Sequence, residues 1–156
     1  MTIFVGIDPG ASGSIAEFRF FVDTVFVAIP MPKTESDIFH ALRFARTIPS
    51  ESFAVIEAVH SFPGQGVASS FKFGMSYGGL RMALVAAKIP FEAVTPQRWQ
   101  KAMGIVSKKS ETKTQHKNRL KARCQELFPE LEVTLATCDA VLLAEYARRL
   151  KNGELK

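Results

Sequence analysis

Cysteine and histidine are scarce in this chain of 156 residues. The two cysteines, Cys124 and Cys138, do not have the spacing of a metal-binding motif, and we interpret both as reduced thiols of a cytosolic protein. The three histidines, His40, His60 and His116, do not have ligand spacing either. The sequence therefore does not predict a metal site built from cysteine and histidine.

Targeting and membrane signals are also missing. The N-terminus has no charged segment followed by an apolar core, so no signal peptide is predicted. No apolar run is long enough to cross a bilayer, which predicts no membrane partner. Because the chain shows no internal repeat and no domain boundary, we expect one domain over residues 1–156. The reduced thiols and the missing signal peptide predict that it is located in the cytoplasm.

The overall composition predicts a globular protein with a basic surface. Apolar residues make up 47% of the chain, which is too many for a disordered protein, and the length suffices for a full hydrophobic core. The formal net charge is +5. This excess of positive charge mildly favours a polyanionic partner.

The first stretch of interest is an apolar run that ends in an acid. Residues 3–7 predict a buried strand, which ends at Asp8 and is followed directly by a Pro-Gly turn. In α/β folds, ligands bind at the carboxyl ends of strands. However, Asp before Pro-Gly is also favourable turn chemistry, so both interpretations of Asp8 remain open from this stretch alone.

Hydrophobic periodicity predicts the remaining elements. Further strands are predicted over 14–20, 24–29, 53–56 and 91–94, and helices over 35–46, 68–88, 96–103, 113–128 and 139–150. The segment 61–67, rich in Pro and Gly, predicts a loop. This order predicts an α/β fold with a mixed five-stranded sheet flanked by helices on both faces.

Two further acids lie where a metal site is expected. Glu57 follows the fourth strand as Asp8 follows the first, so both acids emerge at one edge of the sheet if these strands are parallel neighbours. Two close carboxylates repel unless a cation lies between them, and Mg²⁺ prefers oxygen ligands. Asp139 begins the last helix, although Thr137 as a helix cap would leave it an ordinary first-turn residue. The three acids together predict phosphodiester hydrolysis with two metal ions.

A basic segment follows the middle of the chain. Residues 108–123 contain seven Lys or Arg and one acid. Within it Lys113, Lys117 and Lys121 recur at four-residue spacing and form one stripe on a helix, with Lys108 and Lys109 just before. Such a stripe is usually an ordinary solvated face. Beside a phosphodiesterase site, it predicts contacts with the nucleic-acid backbone.

Five motifs, spread over nearly the whole chain, resemble the RuvC-type Holliday junction resolvases. They are Gly6-Ile-Asp8-Pro-Gly10, Ile56-Glu57, Pro63-Gly-Gln-Gly-Val-Ala-Ser-Ser-Phe-Lys-Phe-Gly74, Thr95-Pro-Gln-Arg-Trp99 and Cys138-Asp-Ala-Val-Leu-Leu-Ala-Glu-Tyr146. The resemblance implies a single RNase H-like nuclease domain and a crossover junction endodeoxyribonuclease that cuts four-way DNA junctions in a bacterial or phage-infected cell. It also implies two Mg²⁺ ions per active site, with Mn²⁺ as a substitute, and a homodimer.

The resemblance assigns roles to individual residues. Asp8, Glu57 and Asp139 match catalytic, metal-binding acids. The family's fourth acid, three or four residues before the last, is replaced here by Leu135 or Ala136. Either Glu132 substitutes for it, or three acids suffice, or activity is weak. Glu145 is a poor candidate, because it lies about 120° round the helix from Asp139.

Two aromatic features complete the set of candidates. Phe71, Lys72 and Phe73 follow the Gly-Gln-Gly loop, and an exposed Phe there would insert between bases at the junction centre. Two Phe at this spacing are also typical of a core, so that alternative stays open. Trp99 is predicted to be a core residue.

Three rival functions remain open. An ATP phosphate site of the actin or sugar-kinase type needs two lobes, and one lobe of this length is too small, so no nucleotide cofactor is expected. A non-catalytic protein that binds branched DNA is consistent with the missing fourth acid. An RNase H-like nuclease that acts on RNA is the third, because a basic stripe contacts DNA and RNA phosphates alike.

Overall fold

Five strands form one mixed sheet in the computed structural model of the protein, which describes residues 2–20, 24–44, 51–60, 64 and 66–155. The strands are β1 (Thr2–Asp8), β2 (Ser14–Phe20), β3 (Thr24–Pro30), β4 (Glu51–Glu57) and β5 (Phe91–Val94), in the spatial order β3-β2-β1-β4-β5. The first three strands form an antiparallel meander, whereas β4 runs parallel to both β1 and β5. The mixed five-stranded sheet predicted from the sequence is therefore confirmed.

Among the described residues, five helices connect and cover these strands. They are α1 (Glu35–Phe44), α2 (Val67–Ala86), α3 (Pro96–Ala102), α4 (Lys113–Leu127) and α5 (Cys138–Lys151), so each predicted helix is found with its ends shifted by about two residues at most. Most of the predicted 61–67 loop and the predicted end of the first helix lie outside the described residues. In the part of the chain that the structure describes, no helix is long and apolar enough to cross a membrane.

The side chains of the central strand β1 alternate between two cores. Ile3, Val5 and Ile7 pack with α1 and α2 on one face of the sheet. On the other face Phe4 packs with a second cluster, which contains most of α5 together with residues of α3 and α4. Helices therefore cover both faces of the sheet, as the order of predicted elements indicated.

Gly6 lets α5 approach the centre of the sheet unusually closely. A Cβ atom at this position would lie 2.0 Å from the backbone oxygen of Ala140 and 2.3 Å from the backbone nitrogen of Ala144. Only glycine leaves room for this contact. Since Gly6 is two residues before Asp8 and Ala140 follows Asp139, the same contact brings both acids to one end of the molecule.

Candidate active site

Asp8 and Glu57 end two adjacent parallel strands. The register aligns Gly6 with Val55 and Ile7 with Ile56, so its continuation places Asp8 beside Glu57. Both acids point to the α5 face, because side chains alternate along a strand and both Phe4 and Val55 belong to the core that contains α5. The parallel arrangement on which the predicted acid pair depended is thus present.

Asp139 lies in the first turn of α5, and its side chain is largely buried. Thr137 occupies the N-cap position but makes no capping bond with its side chain, which instead accepts a hydrogen bond from the Thr134 N–H at 3.1 Å. The thiol of Cys138 donates to Asp139 Oδ1 at 3.2 Å. Asp139 is therefore held from its own helix, near enough to Asp8 for the two charges to interact.

Burial and mutual repulsion disfavour the charged form of Asp8 and Glu57. Desolvation, followed by the charges of Asp139 and Glu57, raises the pKa of Asp8 to about 7, against an opposing effect of Lys117. Desolvation also raises the pKa of Glu57, although the hydrogen bond from Trp99 lowers it. Carboxylates in this condition are stabilised in their charged form by a cation.

Lys117 supplies a cation to this cluster from α4. Its Nζ atom donates to Asp139 Oδ2 at 2.5 Å. Burial lowers the pKa of Lys117, but the charge and hydrogen bond of Asp139 outweigh that effect and leave it above its ordinary value. The sequence placed Lys117 in a stripe of phosphate-binding lysines, whereas the structure pairs it with an acid of the site.

Trp99 has a polar contact that the sequence did not predict. The side chain is fully buried, as expected of a core residue. Its indole Nε1–H donates to Glu57 Oε2 at 2.8 Å. The motif Thr95-Pro-Gln-Arg-Trp99 singled out this tryptophan, but only the folded structure, in which α3 packs against α5, shows that it orients Glu57.

The donor types at this site suit a hard divalent cation, whereas their present geometry does not chelate one. No three acidic, histidine or cysteine side chains among the described residues converge closely enough to hold one ion as they stand. The oxygens of Asp8, Glu57 and Asp139 are nevertheless the ligands that Mg²⁺ prefers. Binding an ion between them requires the carboxylates to move closer together and Lys117 to release Asp139.

The two candidates for a fourth acid lie in different settings. Glu132 is exposed on the segment between α4 and α5. Glu145 is buried and bound to Arg148 at 2.8 Å and to Arg149 at 2.6 Å. Its neutralisation by two arginines explains its burial and agrees with the expectation that it is a poor ligand.

The aromatic candidates at the beginning of α2 have different exposures. Phe71 is 68% exposed and Lys72 is also exposed. Phe73 is half-buried and lines a cavity of about 650 Å³ on the α1 and α2 face, together with Gly10 and Met31. Neither Phe belongs to the two buried cores, and of the two Phe71 is the more accessible to a partner.

Three of the other basic candidates are more accessible than Lys117. Lys108, Lys109 and Lys113 are exposed, and Lys121 is half-buried on α4. The beginning of α4 is set by a capping box, in which Thr112 accepts from the Gln115 N–H and the Gln115 side chain accepts from the Thr112 N–H. This cap anchors the lysine stripe relative to the site.

Comparison with solved structures finds the same fold. The structure of RuvC from Thermus thermophilus matches with a TM-score of 0.64 and 14% sequence identity, over 97% of this chain and 96% of that chain. The structure titled T. thermophilus RuvC in complex with Holliday junction substrate matches with the same TM-score and identity, over 99% and 98% of the two chains. The chain therefore has the predicted RNase H-like α/β fold. No family model and no curated protein matches its sequence.

Proposed function

We propose that the chain is a Mg²⁺-dependent nuclease that resolves four-way DNA junctions. The observation that carries this proposal is the meeting of Asp8, Glu57 and Asp139, two of them with raised pKa values, at the carboxyl ends of β1 and β4 beside a basic helix. The Thermus RuvC structure with a Holliday junction supports the substrate class, because the likeness covers nearly all of both chains. On this view residues 1–156 form a single nuclease domain that works in the cytoplasm.

The three acids would hold the divalent ions, two per site. When bound, such ions activate a water molecule and stabilise the leaving oxygen of the phosphodiester. Trp99 keeps Glu57 oriented through the indole hydrogen bond, and the close contact at Gly6 keeps Asp139 near Asp8. Among the lysines that the structure describes, Lys117 is paired with an acid of the site. Once Asp139 releases it, its ammonium group would contact the scissile phosphate.

A fourth ligand is also part of the proposal. Glu132 precedes buried Val133 on the segment that leads into α5, and its own side chain is exposed. We assign it the role that Leu135 and Ala136 cannot fill. If it is a ligand, then Glu132→Gln raises the Mg²⁺ concentration needed for half-maximal cutting. If three acids suffice, that concentration stays unchanged.

The lysines and Phe71 would hold the DNA. Lys108, Lys109, Lys113 and Lys121 present positive charge on the α4 side, which suits phosphates without selecting a sequence. Phe71 is exposed at the beginning of α2, where an aromatic ring can insert between bases. Lys72 beside it would contact the neighbouring phosphate. Phe73 is half-buried and has a smaller part in contacting the base.

A homodimer is supported by the surface of α2 that faces away from the core. Met75, Met82 and Val85 are all exposed and recur at spacings of seven and three residues on one face of the helix, opposite the buried face of Leu80, Ala83 and Leu84. We call these three residues the α2 stripe. Gly78 lies within the stripe, and a Cβ there would meet no atom of the described residues within 4 Å. A second copy packed on the stripe would bury this apolar surface and bring two active sites to one junction.

The proposal is tested by cleavage of labelled four-way junctions and of linear duplex with the same sequence, with and without Mg²⁺. Paired symmetric nicks on the junction, only with the metal, are the expected result. We expect Asp8→Asn to abolish cutting and leave junction binding largely intact. Asp37→Asn is the matched control, because Asp37 is exposed on α1 over the opposite face of the sheet, and it should cut normally.

Other results of this experiment would select the rival functions. Tight junction binding without cuts at any Mg²⁺ or Mn²⁺ concentration would favour a non-catalytic protein that binds branched DNA. The ion pair between Lys117 and Asp139 is the observation that keeps this second function under test. Cutting of RNA in preference to junction DNA would favour an RNase H-like nuclease that acts on RNA. Normal cutting by Asp8→Asn would contradict the proposed site.

A further inference from the structure

Ser14 carries a buried hydroxyl group that the proposed chemistry does not use. The residue is fully buried, and its Oγ atom has no hydrogen-bond partner among the described residues. Buried hydroxyls are normally paired, because an unpaired one has lost its bonds to water without replacement. An unpaired hydroxyl therefore requires an explanation from its surroundings.

The position of Ser14 places this hydroxyl next to Asp8. Ser14 begins β2 and lies directly opposite Asp8 in the antiparallel pair of β1 and β2. Ala16 and Phe18, which follow at two-residue steps, belong to the core that contains α5. Because side chains alternate along a strand, Ser14 points to that same face, as Asp8 does.

The two side chains are within reach of each other. Cβ atoms of directly opposed residues in an antiparallel pair lie about 4.5–5.5 Å apart. A serine hydroxyl and an aspartate carboxylate that extend toward each other across such a gap come within hydrogen-bond distance. In the present arrangement the Ser14 hydroxyl has no partner, so a change of side-chain conformation is needed before the two groups bond.

We propose that Ser14 is a positioning residue for Asp8, and that its hydroxyl donates a hydrogen bond to the Asp8 carboxylate when the three acids hold a divalent cation. This inference rests on the proposed function, since it requires the cation site. The change of conformation that turns Asp8 toward the ion also satisfies the hydroxyl, so binding removes an unfavourable feature of the free protein. Mutation of a residue that hydrogen-bonds to a metal ligand typically lowers metal affinity about 10–100-fold.

The test measures cation binding without DNA and without catalysis. Mn²⁺ is titrated calorimetrically into the wild-type protein, Ser14→Ala and Ser52→Ala, and melting temperatures are recorded in EDTA. Ser52 is the matched control, since it is also a buried serine but pairs with Ile3 at the opposite end of the sheet. We expect Ser14→Ala to bind Mn²⁺ about tenfold more weakly and to melt in EDTA at the wild-type temperature or above it. Ser52→Ala should bind Mn²⁺ as the wild type does.

Three results would overturn the inference. Equal Mn²⁺ affinity in Ser14→Ala and wild type would show that the hydroxyl does not support Asp8, while leaving the proposed nuclease site intact. A lower melting temperature of Ser14→Ala in EDTA with unchanged affinity would assign the hydroxyl a purely structural role. Absence of Mn²⁺ binding by the wild-type protein would contradict the cation site itself, and the inference with it.

Discussion

At the scale of single residues, burial of carboxylates determines what Asp8 can do. An acid at the end of a strand is common turn chemistry, and an exposed one would keep its ordinary pKa. Here desolvation and two neighbouring acids raise the pKa of Asp8 to about 7. The residue is thus destabilising when it is charged and no cation is bound, which is expected of a residue retained for binding rather than for stability.

The pH dependence of stability tests this interpretation. The pKa of Asp8 is about 7 in the folded protein and 3.8 in the unfolded chain, so between these pH values the folded state keeps a proton that the unfolded state has lost. Stability without divalent ions therefore falls as pH rises from about 4 through 7, by at most about 1.4 kcal/mol per pH unit for this group. We expect Asp8→Asn to flatten the decline and to be the more stable protein at pH 8.

The measurement is urea unfolding in EDTA at several pH values. Glu57 has a raised pKa as well and contributes in the same direction, so the decline becomes smaller in Asp8→Asn without vanishing. Glu130→Gln, which changes an exposed acid after α4, serves as the control and should follow the wild type. A wild-type protein whose stability rises between pH 5 and 8 would contradict the raised pKa.

At the scale of elements, the contact of α5 with β1 assembles the site. A Cβ at position 6 would lie within 2.3 Å of two backbone atoms of α5, and backbone cannot move aside as a side-chain end can. We expect Gly6→Ala to destabilise the protein by on the order of 3 kcal/mol, measured by urea unfolding. Gly74→Ala is the control, because an added Cβ there meets no described atom within 4 Å. It should stabilise α2 by up to about 1 kcal/mol. A loss below 1 kcal/mol in Gly6→Ala would contradict the close contact.

The lysines of α4 divide into two functional groups by their contacts. Lys117 is paired with Asp139, whereas Lys113 and Lys121 make no contact with the acids that the structure describes. We expect the double variant Lys113→Gln, Lys121→Gln to weaken junction binding and to reduce the slope of log affinity against log salt by about 2. Its cutting rate at saturating junction should stay within about twofold of the wild type, because no acid is disturbed.

Lys117→Gln is the variant of α4 to compare with the double variant. It should lower the cutting rate at saturating junction, since it removes the cation of the site rather than a distant phosphate contact. Binding constants over a series of salt concentrations, together with single-turnover cutting rates, separate the two effects. Equal loss of cutting rate in both variants would contradict the division of the stripe.

At the scale of the whole molecule, the α2 stripe predicts the oligomeric state. An exposed row of apolar side chains along one helix face favours association of two copies. Sedimentation over a range of protein concentrations should give a dimer for the wild type and a monomer for Met82→Lys. Val106→Lys is the matched control, since Val106 is 61% exposed and Met82 is 64% exposed. A monomeric wild-type protein at every concentration would contradict the proposed dimer.

The proposed dimer also has a functional consequence. Two sites act together only when two copies bind one junction, so Met82→Lys should convert paired cuts into single, uncoordinated nicks. A protein that makes paired cuts as a monomer would show that the α2 stripe has another use.

Much of this architecture was predictable because it depends on local patterns. Alternating and continuous apolar runs determine the strands, and the runs that end at Asp8 and Glu57 place acids at strand ends. Pro96 at the beginning of α3 and the Thr112 capping box of α4 are local signals of the same kind. Such patterns act within a few residues of one another, so they can be recognised before the fold is known.

Tertiary packing determined how those acids are used. The sequence alone determined which residues form strands and helices and which acids follow them, because hydrophobic periodicity and turn chemistry are local. Three features arose only when distant segments met: the Lys117 bond to Asp139, the Trp99 bond to Glu57, and the unpaired hydroxyl of Ser14 opposite Asp8. Desolvation and hydrogen bonding depend on every element packed around a group, so the protonation of Asp8 and its partners was decided by the folded structure.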